Sequence, residues 1–250
     1  MRPNWRLNYL NIMCTNKIYT FGDGYATGHL WPEWPQILQA LVSDYQVVNT
    51  AGIGAGPEYL VHKLVQQLDE MQNSRVIFQW PSPDRFDKLI ENDHWLDIVK
   101  NDPVYHFNII PDENRLWWLS SASTSEHIQT YHNLFVQPAQ HKIRLDTYKI
   151  LVQNTLKNIG CKVHYTSLAE AGDFGNQTRF QQIRQKEVQP SPPVHYYFLT
   201  EKLLPNTDIN FDLARAQRLE DLILEQKWQA YDPDRAEIWQ VLVKKLNDSI

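Results

Sequence analysis

The alternation of apolar and polar positions along this chain divides it into strand and helix units. Lys17-Ile18-Tyr19-Thr20-Phe21 is a short β-rich run that stops at Gly22-Asp23-Gly24, which predicts a first strand over Lys17–Phe21. Between Pro32 and Val42, the residues Trp34, Ile37, Leu38 and Leu41 recur at helical spacing. Pro32 and Pro35 fit the first turn of that helix, where a missing N–H costs little. Tyr45–Thr50 predicts a second strand. Glu58–Met71 predicts a second helix, with Leu60, Val61, Leu64, Val65 and Leu68 on one face. Arg75–Trp80 is a near-continuous apolar run, as expected of a parallel strand buried on both faces, and Pro81-Ser82-Pro83 ends it. The order is βαβαβ. It predicts three adjacent parallel strands with the first in the middle, the 2-1-3 order of a doubly wound sheet.

The middle of the chain is less regular. Phe86–Lys100 reads as helical, and 103–121 (Pro103 to Ser121) as an aromatic-rich insertion containing Trp117-Trp118. Ser125–Phe135 reads as a helix capped by Ser125. His141–Ile159 is a strongly periodic helix, with Leu145, Tyr148, Val152, Leu156 and Ile159 on one side and Gly160 as its stop. Cys161–Tyr165 predicts a fourth strand. The segment 171–193 (Ala171 to Pro193) turns polar and Gln-rich and ends Pro190-Ser191-Pro192-Pro193, which reads as a surface excursion or flap. Leu213–Trp228 and Arg235–Leu246 read as the last two helices. The expectation for 1–250 is one α/β domain: a three-layer sandwich with a mainly parallel, flavodoxin-like central sheet.

Composition narrows the class. At 42% apolar and 12% aromatic residues the chain can bury a sizeable core. A formal net charge of -5 argues against a nucleic-acid partner, which calls for a basic surface. Cys14 and Cys161 form no metal spacing and read as two unpaired thiols in a reducing compartment. No apolar stretch reaches membrane-spanning length, and Met1–Asn16 lacks a signal core. The expectation is a soluble cytoplasmic protein with no cofactor, no metal and no membrane partner.

The glycines point to the functional end. Six of the nine lie at the ends of the first two predicted strands: Gly22, Gly24, Gly28, Gly52, Gly54 and Gly56. Ligands of open α/β sheets bind at such strand ends. Phe21-Gly22-Asp23-Gly24-Tyr25 resembles the first block of the SGNH (GDSL-type) hydrolases, whose strand ends Gly-Asp-Ser with the Ser as nucleophile. Asn49-Thr50-Ala51-Gly52 resembles their second block, whose Gly supplies an oxyanion-hole N–H. Asp232-Pro233-Asp234-Arg235 stands where the family carries Asp-x-x-His, the acid and base of its triad. The resemblance implies the α/β sandwich and a cleft at the strand ends. The Gly-Asp-Gly-Tyr-Ala segment is also similar to that of SGNH-like proteins of tailed bacteriophages, which implies a host-cytoplasmic or virion location.

The departures from that family decide the expected activity. Gly24 stands in place of the nucleophilic Ser, and Arg235 in place of the base His. Gln79-Trp80-Pro81-Ser82-Pro83-Asp84-Arg85 holds no Asn for the oxyanion hole. Glycine has no nucleophile, and arginine stays protonated and cannot act as a base. The resemblance therefore implies a pseudoenzyme with no catalytic residue. Its vestigial or ligand-binding cleft would comprise Asp23, Gly24, Tyr25, Gly52, Gly54, Trp80, Ser82, Arg85, Asp232 and Arg235. Arg85 and Arg235 would suit a small anionic ligand, and the tryptophans a carbohydrate; salt bridges to Asp84 or Asp232 are the plainer role for the arginines.

Other readings stay open. One is a working esterase or carbohydrate deacetylase with rebuilt machinery, for instance a Thr27–His29 pair, although His29 equally reads as bonding the turn. Asp23 and Asp232 form a possible carboxylate pair, but Asp23 also reads as capping the next helix or bonding the Gly-rich loop. His62 reads as a surface or core residue, and His127 and His132 lack the spacing of a metal pair. The last reading is an assembly protein or homo-oligomer held through the Trp117-Trp118 insertion, whose aromatics read equally as loose core packing, and through the Gln-rich segment.

Overall fold

Four strands lie parallel in the order β2-β1-β3-β7: β1 Lys17–Phe21, β2 Gln46–Asn49, β3 Arg75–Trp80 and β7 Lys162–Ser167. A computed structural model describes residues 16–24, 26–28, 32–83, 85–90, 109–112, 115–120, 137–167, 191–229, 232 and 234–249. The predicted arrangement of the first three strands holds. Tyr19 is in register with Val48 on one side and with Val76 on the other. The fourth predicted strand adds next to β3, with Ile77 opposite His164.

Alternation along the central strands sorts side chains into two cores. Ile18 and Ile77 join one cluster, covered by α1 (Trp34–Leu41), α4 (Pro192–Tyr197), α5 (Leu213–Leu224) and α6 (Arg235–Asp248). Tyr19, Phe21, Val76, Phe78 and Trp80 join the other, covered by α2 (Pro57–Gln67) and α3 (Pro138–Asn158). The result is a three-layer α/β sandwich with an all-parallel, flavodoxin-like sheet. Trp34, Tyr19, Phe21 and Phe78 are completely or almost completely buried. Each such side chain contributes roughly 1.5–3 kcal/mol of transfer free energy.

Several elements differ from the sequence-based expectation, three of them in kind or in how they start. The stretch starting at Phe86 begins not a helix but strand β4 (Phe86–Ile90). It pairs antiparallel with β6 (Arg115–Ser120), which pairs with β5 (Ile109–Asp112), giving a second, three-stranded sheet in the order β4-β6-β5. Asp87 and Leu89 both turn toward α2, and the carboxyl at an inward position hides the strand's alternation. Pro111 is tolerated because β5 is an edge of that sheet. The described part of the insertion is therefore a pair of antiparallel strands, with Trp117 in register with Leu89 and Ile110.

The second difference is at Pro192-Pro193, read as the end of a polar excursion. These residues open α4, which runs on through a π-type stretch at Phe198–Leu203 and a 3-10 turn at Leu204–Asn206. Pro192, Pro193, Val194, His195, Tyr196 and Tyr197 are all buried, so no polar face marks the helix in the sequence. The third is the start of α1. Glu33 is its N-cap, so Pro35 falls in the first turn and Pro32 precedes the helix. α3 starts at Pro138, ahead of the predicted start, and ends as expected at Gly160, whose φ is +75°. The predicted helix at Ser125–Phe135 and the excursion up to Pro190 lie outside the described residues.

Candidate functional site

The carboxyl ends of β1, β2 and β3 carry the Gly-rich turns, and the loop after β1 is held from several sides. Asp23 O accepts from Ala26 N at 2.9 Å, and Asn49 Nδ2 donates to Ala26 O at 2.6 Å. Asn49 Oδ1 accepts from Thr20 Oγ1 at 3.0 Å and from Ala51 N at 3.2 Å. Further along, Gly28 N donates to Glu33 Oε2 at 2.7 Å, while Gln36 Nε2 donates to Thr27 O at 3.3 Å. Gly28 has φ +73°, and a Cβ there would fall 2.4 Å from Gln36 Nε2, so the turn requires glycine. Around Gly24 the situation is opposite: a Cβ would meet no described atom within 4 Å. Among the described residues, Gly24 is thus the open point of this loop.

Asp23 turns inward. It is completely buried, accepts from Gln79 Nε2 at 2.9 Å, and lies 3.1 Å from the Arg85 guanidinium. Gln79 Oε1 in turn accepts from Trp34 Nε1 at 2.8 Å. A buried polar chain therefore runs from α1 through β3 to the β1 turn and out to Arg85. The helix-capping role expected of Asp23 belongs to Glu33, whose N–H donates to Gln36 Oε1 at 3.2 Å. Burial, with a smaller contribution from nearby Asp23, pushes the Glu33 carboxyl up to about 8. Arg85 pairs with Asp23; the alternative partner Asp84 lies outside the described residues, as do Tyr25 and His29.

The β3–β4 connection is pinned just as firmly. His141 Nδ1 sits 3.1 Å from Pro83 O, and Arg144 donates to Arg85 O at 2.7 Å. Arg144 also pairs with Glu58 at 3.2 Å. Asp87 then receives Gly56 N and Tyr59 N, each at 2.7 Å. It caps α2 from the second sheet, a task that Gly56, lacking a side chain, cannot perform. A Cβ on Gly56 would lie 3.0 Å from both Asp87 oxygens, which explains the glycine. Burial raises Asp87 to about 7, against the pull of its two backbone donors.

Several expected cleft residues have other tasks. The N–H of Gly52 donates to Gly22 O at 3.1 Å, continuing the β1–β2 ladder, so it is not a spare oxyanion donor. Trp80 is a core residue, 4% exposed, with its ring 4.4 Å from that of Phe78 and stacked on Tyr165 at 6.5 Å. Arg235 donates to the backbone carbonyl of Asp232 at 2.9 Å, and Asp232 Oδ1 accepts from Asp234 N at 2.9 Å; both sit at the start of α6. The Asp232 carboxylate therefore serves Asp234 rather than a salt bridge to Arg235. Ser82 and Gly54 stay at the strand ends, with Ser82 O accepting from Arg85 N at 3.1 Å and Gly54 at φ +75°.

The sequence did not mark Glu33, Asp87, His141 or Arg144 as site residues, and it marked Asn49 only as part of the second block. The Glu33-x-x-Gln36 spacing is a helix-start signal visible in the sequence. Among the described residues no group of three or more His, Cys, Asp or Glu could hold a metal ion. Among them, too, no helix is long and apolar enough to cross a membrane. No family model, curated protein or solved structure matches the chain.

Proposed function

We propose that this protein is a catalytically degenerate relative of the SGNH hydrolases whose strand-end cleft binds a ligand without turning it over. The observation that carries the reading is the β1 turn. Its acid, Asp23, is locked inward by Gln79 and Arg85, while Gly24 opens to free space where the family places its nucleophile. The Gly52 N–H is already bonded, which further weakens an oxyanion hole. Because Asp23 balances the charge of Arg85, a neutral polar ligand such as a carbohydrate suits the lip better than a small anion. A phage origin belongs to the same reading and rests on the Gly-Asp-Gly-Tyr-Ala segment alone.

Gly24→Trp tests the ligand site, since a Cβ at Gly24 meets no described atom within 4 Å and a large side chain there would crowd the lip; circular dichroism checks that the variant stays folded. Binding of N-acetylglucosamine and of acetate is measured by ligand-observed NMR. The sugar is expected to bind the native chain and to lose binding in Gly24→Trp. Sugar binding unchanged by that substitution, or binding of acetate alone, contradicts the proposal.

A second reading, an assembly module, is favoured by exposed apolar side chains. Ile143, Ile150 and Leu151 on α3 are 67%, 61% and 52% exposed. Such side chains on one helix are a feature of surfaces that meet partners.

A further inference from the structure

We infer that α6 is the contact surface for a second copy of this chain, packed antiparallel about Val241. The inference is independent of the ligand reading. A groove of about 340 Å³ runs between α5 and α6, with Leu222 on one wall and Ile238 and Val241 on the other. Glu237 and Lys245 line the same groove. Val241 is 48% exposed although it sits beside buried Leu242. Residues four apart share a helix face, so Glu237, Val241 and Lys245 form one stripe that reads acid, apolar, base.

That order is self-complementary under a two-fold axis. Antiparallel helices related by an axis at Val241 place Glu237 of each copy beside Lys245 of the other. The two Val241 side chains meet at the centre. Lys244 falls opposite Ile238, and its methylene stem can cover that half-buried side chain. Among the described residues neither Glu237 nor Lys245 has an ion-pair or hydrogen-bond partner within the chain, so both charges are available. Asp234 and Asp248 would fall opposite one another at the ends of the contact, where the crossing angle of packed helices carries the chains apart. The more apolar stripe on α3 has no such acid–base order to specify its occupant.

Charge exchange tests the proposal. Sedimentation equilibrium of the full chain is expected to show a reversible dimer. Glu237→Lys or Lys245→Glu each turns two attractions into two repulsions, which should weaken the dimer about tenfold. The double variant Glu237→Lys with Lys245→Glu should recover to within about threefold of the native constant, because the order is merely reversed. Val241→Asp should leave a monomer. All three positions are solvent-facing, and circular dichroism confirms that each variant remains folded. A native chain that stays monomeric, single reversals without effect, or a double variant no better than either single one overturns the proposal. A monomer that instead binds a different protein through this groove overturns it equally.

Discussion

At the scale of single residues, the β1 turn separates glycines that the backbone requires from one that it does not. Gly28 sits at φ +73° with Gln36 against its Cα. Gly28→Ala should destabilise the fold by roughly 1–3 kcal/mol, the range for a non-glycine residue held in a strained conformation. At Gly24 the backbone is not in the left-handed region and the surrounding space is open, so Gly24→Ser should change stability by less than about 0.5 kcal/mol. Urea denaturation of the two variants gives the comparison, and equal losses would contradict it. Arg85 is the third case. Removing it leaves the Asp23 carboxylate buried without its countercharge. Arg85→Ala should therefore cost up to about 3 kcal/mol, the low end for buried pairs, because 19% of the Arg85 side chain is exposed. Unchanged stability would mean that Asp23 finds its compensation elsewhere.

At the scale of elements, Asp87 joins the second sheet to the start of α2. Losing both of its backbone hydrogen bonds in Asp87→Ala should cost roughly 1–3 kcal/mol. Asp87→Asn should cost less but remain destabilising, since an amide offers one acceptor to two N–H donors. The pH dependence has a definite sign. The folded value, about 7, lies above the ordinary carboxylate value of 3.8. The folded state therefore binds the proton more tightly than the unfolded one. The contribution from this group is fully present below about 4 and is lost as pH rises toward about 7. The stability advantage of the native chain over Asp87→Asn should thus shrink between those values, by on the order of 1 kcal/mol per pH unit. A growing advantage would reverse the assignment. The same carboxyl shows why β4 was not legible as a strand. Its partners Gly56 and Tyr59 are 31 and 28 residues away, and without them Asp87 looks like a surface residue. The parallel strands were legible because their apolar runs are continuous. Helix α4 was not, because it is buried all round and opens on two prolines. The location of the candidate site was legible from Gly22 to Gly28. Its wiring was not, since Asp23 meets Gln79 from 56 positions away.

At the scale of the whole molecule, two layers of helices hold a parallel sheet whose carboxyl ends are fixed from several sides. The β1 turn is tied to β2 by Asn49, to β3 by Gln79 and to α1 by Glu33. The β3–β4 connection is tied to α3 by His141 and Arg144. This end of the sheet is preorganised, which favours binding a ligand with little ordering cost. Asp23, Gln79 and Arg85, however, are committed to one another, and none of the polar side chains described there is set as a nucleophile beside a base. Hydrolysis of a short-chain aryl ester tests the proposal that this cleft is chemically silent. The native chain is expected to match the uncatalysed background. Gly24→Ser should stay near it, because among the described residues nothing is set as a base for the added hydroxyl: Asp23 is held by Gln79 and Arg85, and Arg235 remains on its own helix turn. Turnover by the native chain well above background, abolished by Thr27→Ala or His29→Ala but not by Arg235→Ala, would rule out a silent cleft and establish an enzyme with rebuilt machinery.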